Sequence, residues 1–436
     1  MNWYLRPSDD CIILRVEVYC LTMKTPRSAG QPVFYGFIIV AVIFSIHLVS
    51  YGLSDSFGVF INPWIDAFGW NRAAISGAYS LAFVMSGIMG VVMGIITDRY
   101  GPRLALSVCA ACLGIGFILV SRMQSLWQLY IFYGLIFGTG MGGIWAPLLS
   151  LVSRWFTSKR GLITGIVVSG GGLGAFIGPP VITLLVNNYA WTSTTLILGI
   201  FVLLWVLIAA QFLKRDPASA GQVPYQEVHT ETPDRQSAAQ DFSLKEAIRT
   251  AQFWNIFFML FCLSFFTFSI LVHYMPHVIQ LGIPAYSAAY ILSTISGVSI
   301  AGNFVMGRTG DKLGPRKIFI ISFVLMAAAI FWLVQAQSVW MLYLFSVVFG
   351  FNHGGNATAQ APLAAKIFGL KAHGTIFSVI AFGFTIGGAV GPLVTGYIFD
   401  LTGGYQTAFI LCGAMGIIGL ILAITLRPTK RIKADI

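Results

Sequence analysis

Gly94-Ile95-Ile96-Thr97-Asp98-Arg99-Tyr100-Gly101-Pro102-Arg103 has a counterpart in Gly307-Arg308-Thr309-Gly310-Asp311-Lys312-Leu313-Gly314-Pro315-Arg316. Both stretches read G-x-x-x-D-[RK]-x-G-P-R, and both lie between long apolar segments. Asp98 and Asp311 are 213 residues apart, and the same offset links Gly161 with Gly374 and Gly178-Pro179 with Gly391-Pro392. A register held over four landmarks marks two copies of one unit. An Asp at a helix end can accept hydrogen bonds from the free N–H groups of a neighbouring helix. The Arg or Lys beside it can pair with a carboxylate or with last-turn carbonyls, and Gly and Pro force a tight turn. Gly94, Asp98, Arg99, Gly101 and Arg103, with Gly307, Asp311, Lys312, Gly314 and Arg316, are therefore candidate gating residues rather than an ordinary anchoring turn.

Around these blocks the 436-residue chain is 57% hydrophobic and only 9% charged, with mean hydropathy +0.82. A soluble domain carries about 25% charged residues. This is the composition of a polytopic membrane protein. Crossings need about 20 residues each, and twelve candidates are present, near 34–60, 74–96, 104–121, 127–151, 162–186, 192–213, 252–274, 286–306, 317–335, 339–363, 374–398 and 406–426. The net charge of +11 does not point to nucleic acid. Of the 26 Lys and Arg, all but Arg72 and Arg122 fall on one side of this layout. The positive-inside rule makes that side cytoplasmic and puts both termini there. The expected organisation is an N-terminal tail (1–33), a six-helix half (34–213), a cytoplasmic linker (214–250), a second half (251–426) and a basic tail (427–436).

Met23-Lys24-Thr25-Pro26-Arg27 is a plausible translation start, with residues 1–22 an artefact; intact mass of the native protein decides this. None of the six cysteines lies in an outer loop, which excludes a disulfide framework. Cys109-Ala-Ala-Cys112 sits inside an apolar span and reads as packing. Gly138-Thr139-Gly140-Met141-Gly142-Gly143 matches G-x-G-x-x-G, but a dinucleotide site needs that motif after a strand. Close helix packing or a flexible point is the reading here. Gly170, Gly174 and Gly178, and again Gly383, Gly387 and Gly391, form small-residue faces for close helix approach. In the linker, Ser243-Leu244-Lys245-Glu246 fits a capping box before a short helix.

The repeated block resembles the signature loop of the major facilitator superfamily, placed between its second and third helices and between its eighth and ninth. That resemblance implies an all-α fold of twelve transmembrane helices in two pseudo-symmetric six-helix bundles. It also implies a central cavity lined by the first and fourth helix of each half. Phe57-Gly58-Val59-Phe60, Phe68-Gly69-Trp70-Asn71-Arg72-Ala73, Arg154-Trp155-Phe156, Lys159-Arg160-Gly161 and Thr164-Gly165-Ile166 narrow it. They resemble the bacterial relatives of monocarboxylate transporters and oxalate–formate antiporters.

Ionisable groups inside a bilayer are functional candidates by default. His47, Tyr51 and Asp55 recur at i, i+4 and i+8 on span one and share a face. His47 is either a proton carrier or a histidine bonded to a neighbouring helix. Asp55 is either a cavity carboxylate or an interfacial residue. Asn352 and Asn356 on span ten are either substrate contacts or interhelical glue, with His353 beside them; His273 reads as a rim residue. Spans eight and eleven hold no interior Arg or Lys, a departure from the carboxylate-binding pattern that the resemblance implies. No metal spacing, nucleophile–base motif or phosphate loop is present, so neither a cofactor nor an enzyme activity is expected. The expected function is secondary active transport of a small organic anion, a monocarboxylate moved with H+, by a monomer in the cell membrane. The alternatives are a carrier or exporter of neutral or zwitterionic solutes, and a membrane nutrient sensor.

Overall fold

The computed structural model describes residues 34–225 and 241–426. Met23, the middle of the linker and the basic C-terminal tail lie outside the described residues. The fold is helical throughout. We number its long helices α1 (Gly36–Phe68), α2 (Arg72–Tyr100), α3 (Pro102–Val120), α4 (Leu126–Trp155), α5 (160–189), α6 (191–211), α7 (Ala251–Gln280), α8 (Ala285–Leu313), α9 (Pro315–Gln335), α10 (Val339–Phe368), α11 (His373–Thr402) and α12 (Gln406–Thr425).

Ten of the described helices are long and apolar enough to cross a membrane. One of the ten, Arg160–Gln211, holds α5 and α6 in one run broken at Ala190. The twelfth crossing is α10, whose Asn352, His353, Asn356 and Gln360 lower its hydropathy. The layout differs from the sequence expectation at two ends. Span one continues to Phe68 instead of stopping near 60, with Pro63 inside it and a break at Ser56, whose hydroxyl turns back onto the Gly52 carbonyl at 2.5 Å. Span seven continues to Gln280 and carries His273 and His277 within the helix.

The two halves repeat one packing plan. In the first, α1 lies on α5, α2 on α4 and α3 on α6; in the second, α7 lies on α11, α8 on α10 and α9 on α12. The small-residue faces make the closest of these joints. A Cβ on Gly174 or Gly178 would strike the backbone carbonyls of Leu48 and Gly52, and one on Gly387 or Gly391 those of Phe261 and Phe265. The struck residues are again 213 apart. The G-x-G-x-x-G stretch is a packing surface too: Gly138, Gly140 and Gly142 lie against backbone atoms at Ala82, Leu113 and Gly90. Between the halves, α2 meets α11 and α5 meets α8.

Ala190 holds the turn between α5 and α6 with φ 57° and ψ 157°. That region is open to glycine and costs other residues on the order of 1–3 kcal/mol. Replacing Ala190 with glycine is expected to raise stability by roughly 1 kcal/mol, the gain being cut by the larger unfolded-state entropy of glycine. Thermal unfolding of the purified protein in detergent should show a midpoint above wild type; an unchanged or lower midpoint contradicts the strained turn.

Candidate functional site

Each helix exposes N–H groups in its first turn that lack intrahelical partners. At the basic face, where both repeated blocks end, those of α5 and α11 find them in the opposite half. Asp98, near the end of α2, accepts from Gly374 N at 3.2 Å and Thr375 N at 2.6 Å, at the start of α11. Asp311, near the end of α8, accepts from Gly161 N at 2.6 Å and Leu162 N at 2.9 Å, at the start of α5. The carboxylates also meet the positive ends of the helix dipoles. Glycine is required for the approach. A Cβ on Gly161 would overlap the Gly307 carbonyl, and one on Gly94 would lie 2.7 Å from the Gly374 carbonyl.

The arginines of the blocks bond helix-end carbonyls within their own halves. Arg103 donates from Nε to the Leu213 carbonyl at 2.9 Å, and Arg316 to Ala423 and Ile424 at 3.1 and 2.5 Å. Each thus secures the end of the last helix of its own half, α6 or α12. Each side chain leaves from the first turn of α3 or α9, which pack on those helices, so the nearest free carbonyls belong to its own half. Gly101 and Gly314 have φ 95° and 88°, which fixes them as turn residues. Arg99 lies over the Tyr100 ring, 5.5 Å from its centroid, and Lys312 is exposed.

One partner of Asp98 escaped the sequence reading. Arg154, at the end of α4 and 8% exposed, forms an ion pair with Asp98. The position 213 residues on is Ile367, so the repeat does not supply Asp311 with a matching arginine. A lone arginine on the buried side of a span end was the available signal. The repeat concealed it, because the repeat does not share it.

Deeper in the fold, His47 is fully buried, with Nδ1 3.1 Å from the Val167 carbonyl on α5 and Nε2 2.7 Å from the Ile144 carbonyl on α4. Ile144 lies in a break of α4 between Gly142 and Ala146, three residues before Pro147. A neutral imidazole has one N–H to donate, whereas an imidazolium has two. The two carbonyls therefore match the protonated ring. His47 stacks on Trp145, with centroids 6.1 Å apart, and meets the edge of Tyr51 at 5.7 Å. It stands behind these two rings. Trp145, which was not singled out from the sequence, joins Tyr51 as the partly exposed surface. Asp55 is exposed at the α1 break, within electrostatic reach of Tyr51, Tyr79 and Tyr133.

In the second half the polar residues divide. Asn352 accepts from the Ser322 hydroxyl at 3.0 Å and donates to Val348 O, and Asn356 donates to Met326 Sδ at 3.6 Å. Both face α9. His353, one position round the helix, is partly exposed and stacked on Phe349. His273 reaches the Pro392 carbonyl on α11 at 3.0 Å and lies beside Tyr405. The structure thus groups His47, Tyr51 and Asp55 on α1 with Trp145, and separates them from Asn352 and Asn356.

The profile of the Major Facilitator Superfamily matches residues 43–302 and 291–435. The chain belongs to this superfamily. It is a multi-pass membrane transporter and not an enzyme. Among curated proteins it is 24% identical to monocarboxylate transporter 12 of Mus musculus, over 95% of this chain and 89% of the relative. It is 27% identical to monocarboxylate transporter 13 of Bos taurus, over 90% and 89%. It is 25% identical to the agnestins efflux protein of Paecilomyces divaricatus, over 93% and 86%. Two solved structures share the fold at 15% identity. FucP, in the outward conformation, gives a TM-score of 0.70 over 91% of this chain and 100% of that one. The human organic anion transporter MFSD10 gives 0.72 over 90% and 100%.

Asp98→Asn removes the charge facing Arg154 and one of the acceptors that serve α11. Hydrogen bonds to charged groups contribute about 1.5–3 kcal/mol each. The closed basic face should lose population about tenfold or more. A cysteine placed at Ser378, buried against Gly94, should then react with a water-soluble maleimide at least several times faster than in the otherwise wild-type protein. Equal rates would show that Asp98 does not hold this face closed.

Proposed function

We propose that this superfamily transporter moves a small monocarboxylic acid together with a proton, by alternating access, and that the basic face is cytoplasmic. The observation that carries the mechanism is the double crossing at that face. Asp98 and Asp311 each join the end of a helix in one half to the start of a helix in the other. A change of access must break both joints together. The conformation described here is then the one closed toward the cytoplasm.

The substrate class draws support from the full-length likeness to monocarboxylate transporters. The cavity chemistry shapes it further. Among the described residues, Lys and Arg lie at or near span ends, and Asp55 is the carboxylate away from them. Among the described residues no Arg or Lys lies inside the spans to hold a bare carboxylate, whose burial in low dielectric is costly. A proton taken up with the anion offsets that cost. His47, with two carbonyls awaiting two N–H groups, is the proton-holding group, and Tyr51 and Trp145 face the solute. Proton and acid then favour each other's binding, as linkage requires. Efflux of a neutral solute is the second reading, favoured by the agnestins efflux relative.

Proteoliposomes loaded at neutral pH and diluted into acidic buffer should accumulate a labelled monocarboxylate, and accumulation should vanish without the pH gradient. His47→Gln should lose pH-driven accumulation while retaining part of the counterflow exchange at saturating substrate. Uptake of a neutral solute alone would favour the second reading. Wild-type accumulation by His47→Gln would make His47 a packing residue.

A further inference from the structure

The residues that receive Asp98 and Asp311 do not stand alone. The loop before α5 and the loop before α11 are related by the same 213-residue offset, at 155–158 and 368–371. Each is gripped by a different end of the segment that joins the two halves. At its first end, Tyr225 N donates to the Trp155 carbonyl at 3.0 Å. The Tyr225 carbonyl accepts from Thr157 N at 3.1 Å and Ser158 N at 3.2 Å, and from the Thr157 hydroxyl at 2.8 Å. Its ring lies against Phe156 and Phe37, at 5.9 and 6.2 Å between centroids. Three residues upstream, the Gln222 side chain accepts from Tyr35 N at 2.9 Å.

The second end repeats the grip with other chemistry. Phe242 N donates to the Phe368 carbonyl at 3.0 Å, and the two rings meet edge to face at 5.9 Å. Asp241 Oδ1 accepts from Leu370 N at 3.0 Å and from Lys371 N at 3.1 Å. The capping box of Ser243 and Glu246 follows at once and starts the helix Leu244–Ile248, which packs on α7 and α11. Phe156 and Ser158 in one loop, and Phe368 and Lys371 in the other, are each within six residues of an N–H that a gate aspartate accepts.

We infer that the two docked ends of the linker, 222–225 and 241–242, are positioning elements of the gate: they fix the loops from which α5 and α11 start, and so set how firmly Asp311 and Asp98 close the basic face. This rests on the gating role proposed for the two aspartates. Each loop is held by the linker end on its own half. The acceptor on the second side is a side chain, so it can be removed without altering the backbone. Asp241 touches neither the candidate solute site nor Asp98, and its role is carried through Leu370 and Lys371 to Gly374 and Thr375.

Hydrogen exchange of the full chain in detergent tests this, read by mass spectrometry on peptides covering the two helix starts. Asp241→Ala should speed exchange of the 370–375 amides at least threefold and leave 158–162 within experimental error of wild type. Asp241→Asn keeps an oxygen acceptor for Leu370 and Lys371 and should restore protection at 370–375. Equal exchange at 370–375 in wild type and Asp241→Ala, with both proteins folded and monodisperse, overturns the inference. So does loss of protection in Asp241→Asn as large as in Asp241→Ala, because a loss of charge alone would then explain the effect. If Asp98→Ala leaves 370–375 protected while Asp241→Ala does not, the gate reading fails and the anchoring of the loop by Asp241 survives.

Discussion

A carboxylate that receives the free N–H groups of a helix in the opposite half is the interaction on which this structure depends. The first N–H groups of a helix have no intrahelical acceptor and must find one elsewhere. Asp98 and Asp311 meet that need for α11 and α5, at the end of their crossings where water still has access. A hydrogen-bonded carboxylate at a helix start is a strong joint, yet it can be exchanged for water. That combination suits a seam that must hold in one state and open in the other.

The surrounding sequence follows from bringing backbones that close. The seam tolerates no side chain at Gly94, Gly161 or Gly374, where an added Cβ would meet the facing backbone or the carboxylate of Asp98. Arg103 and Arg316 hold the last helix of each half in place beside it. The halves differ in how the aspartate is charged. Asp98 has Arg154 as a buried partner, whereas the neighbours of Asp311 are Lys159 and Arg160 on the loop and first turn of α5. Breaking a buried ion pair by removing one partner is costly. The Asp98 joint is therefore the more sensitive of the two to loss of charge.

Much of this was legible in the sequence because symmetry doubles every signal. The ten-residue block and a face of three glycines recur at one offset, and the close approaches at Gly174, Gly178, Gly387 and Gly391 fall where that face predicts them. What symmetry does not copy was harder to read. Arg154 has an isoleucine as its counterpart, and Trp145 has Thr358. The turn at Ala190 uses a residue whose type gives no hint of a positive φ. His47 could be placed on the same face as Tyr51 and Asp55 by counting, but not behind them. Its burial depends on the break in α4, and a break made by packing around Pro147 and three glycines is not set by local periodicity. Asn352 and Asn356 shared a helix face by counting as well; only packing shows that α9 covers that face.

The reciprocal closure itself is most directly tested by the distance between the two halves at the basic face. Spin labels at Tyr100, exposed at the end of α2, and at Lys371, exposed before α11, report it by double electron–electron resonance in lipid nanodiscs. The closed seam gives a short-distance population in the unmodified background. Converting both Asp98 and Asp311 to alanine should move most of that population to a longer distance, with the fold intact. An unchanged distance distribution in the double variant would show that the helices stay together without the carboxylates, and would contradict the account.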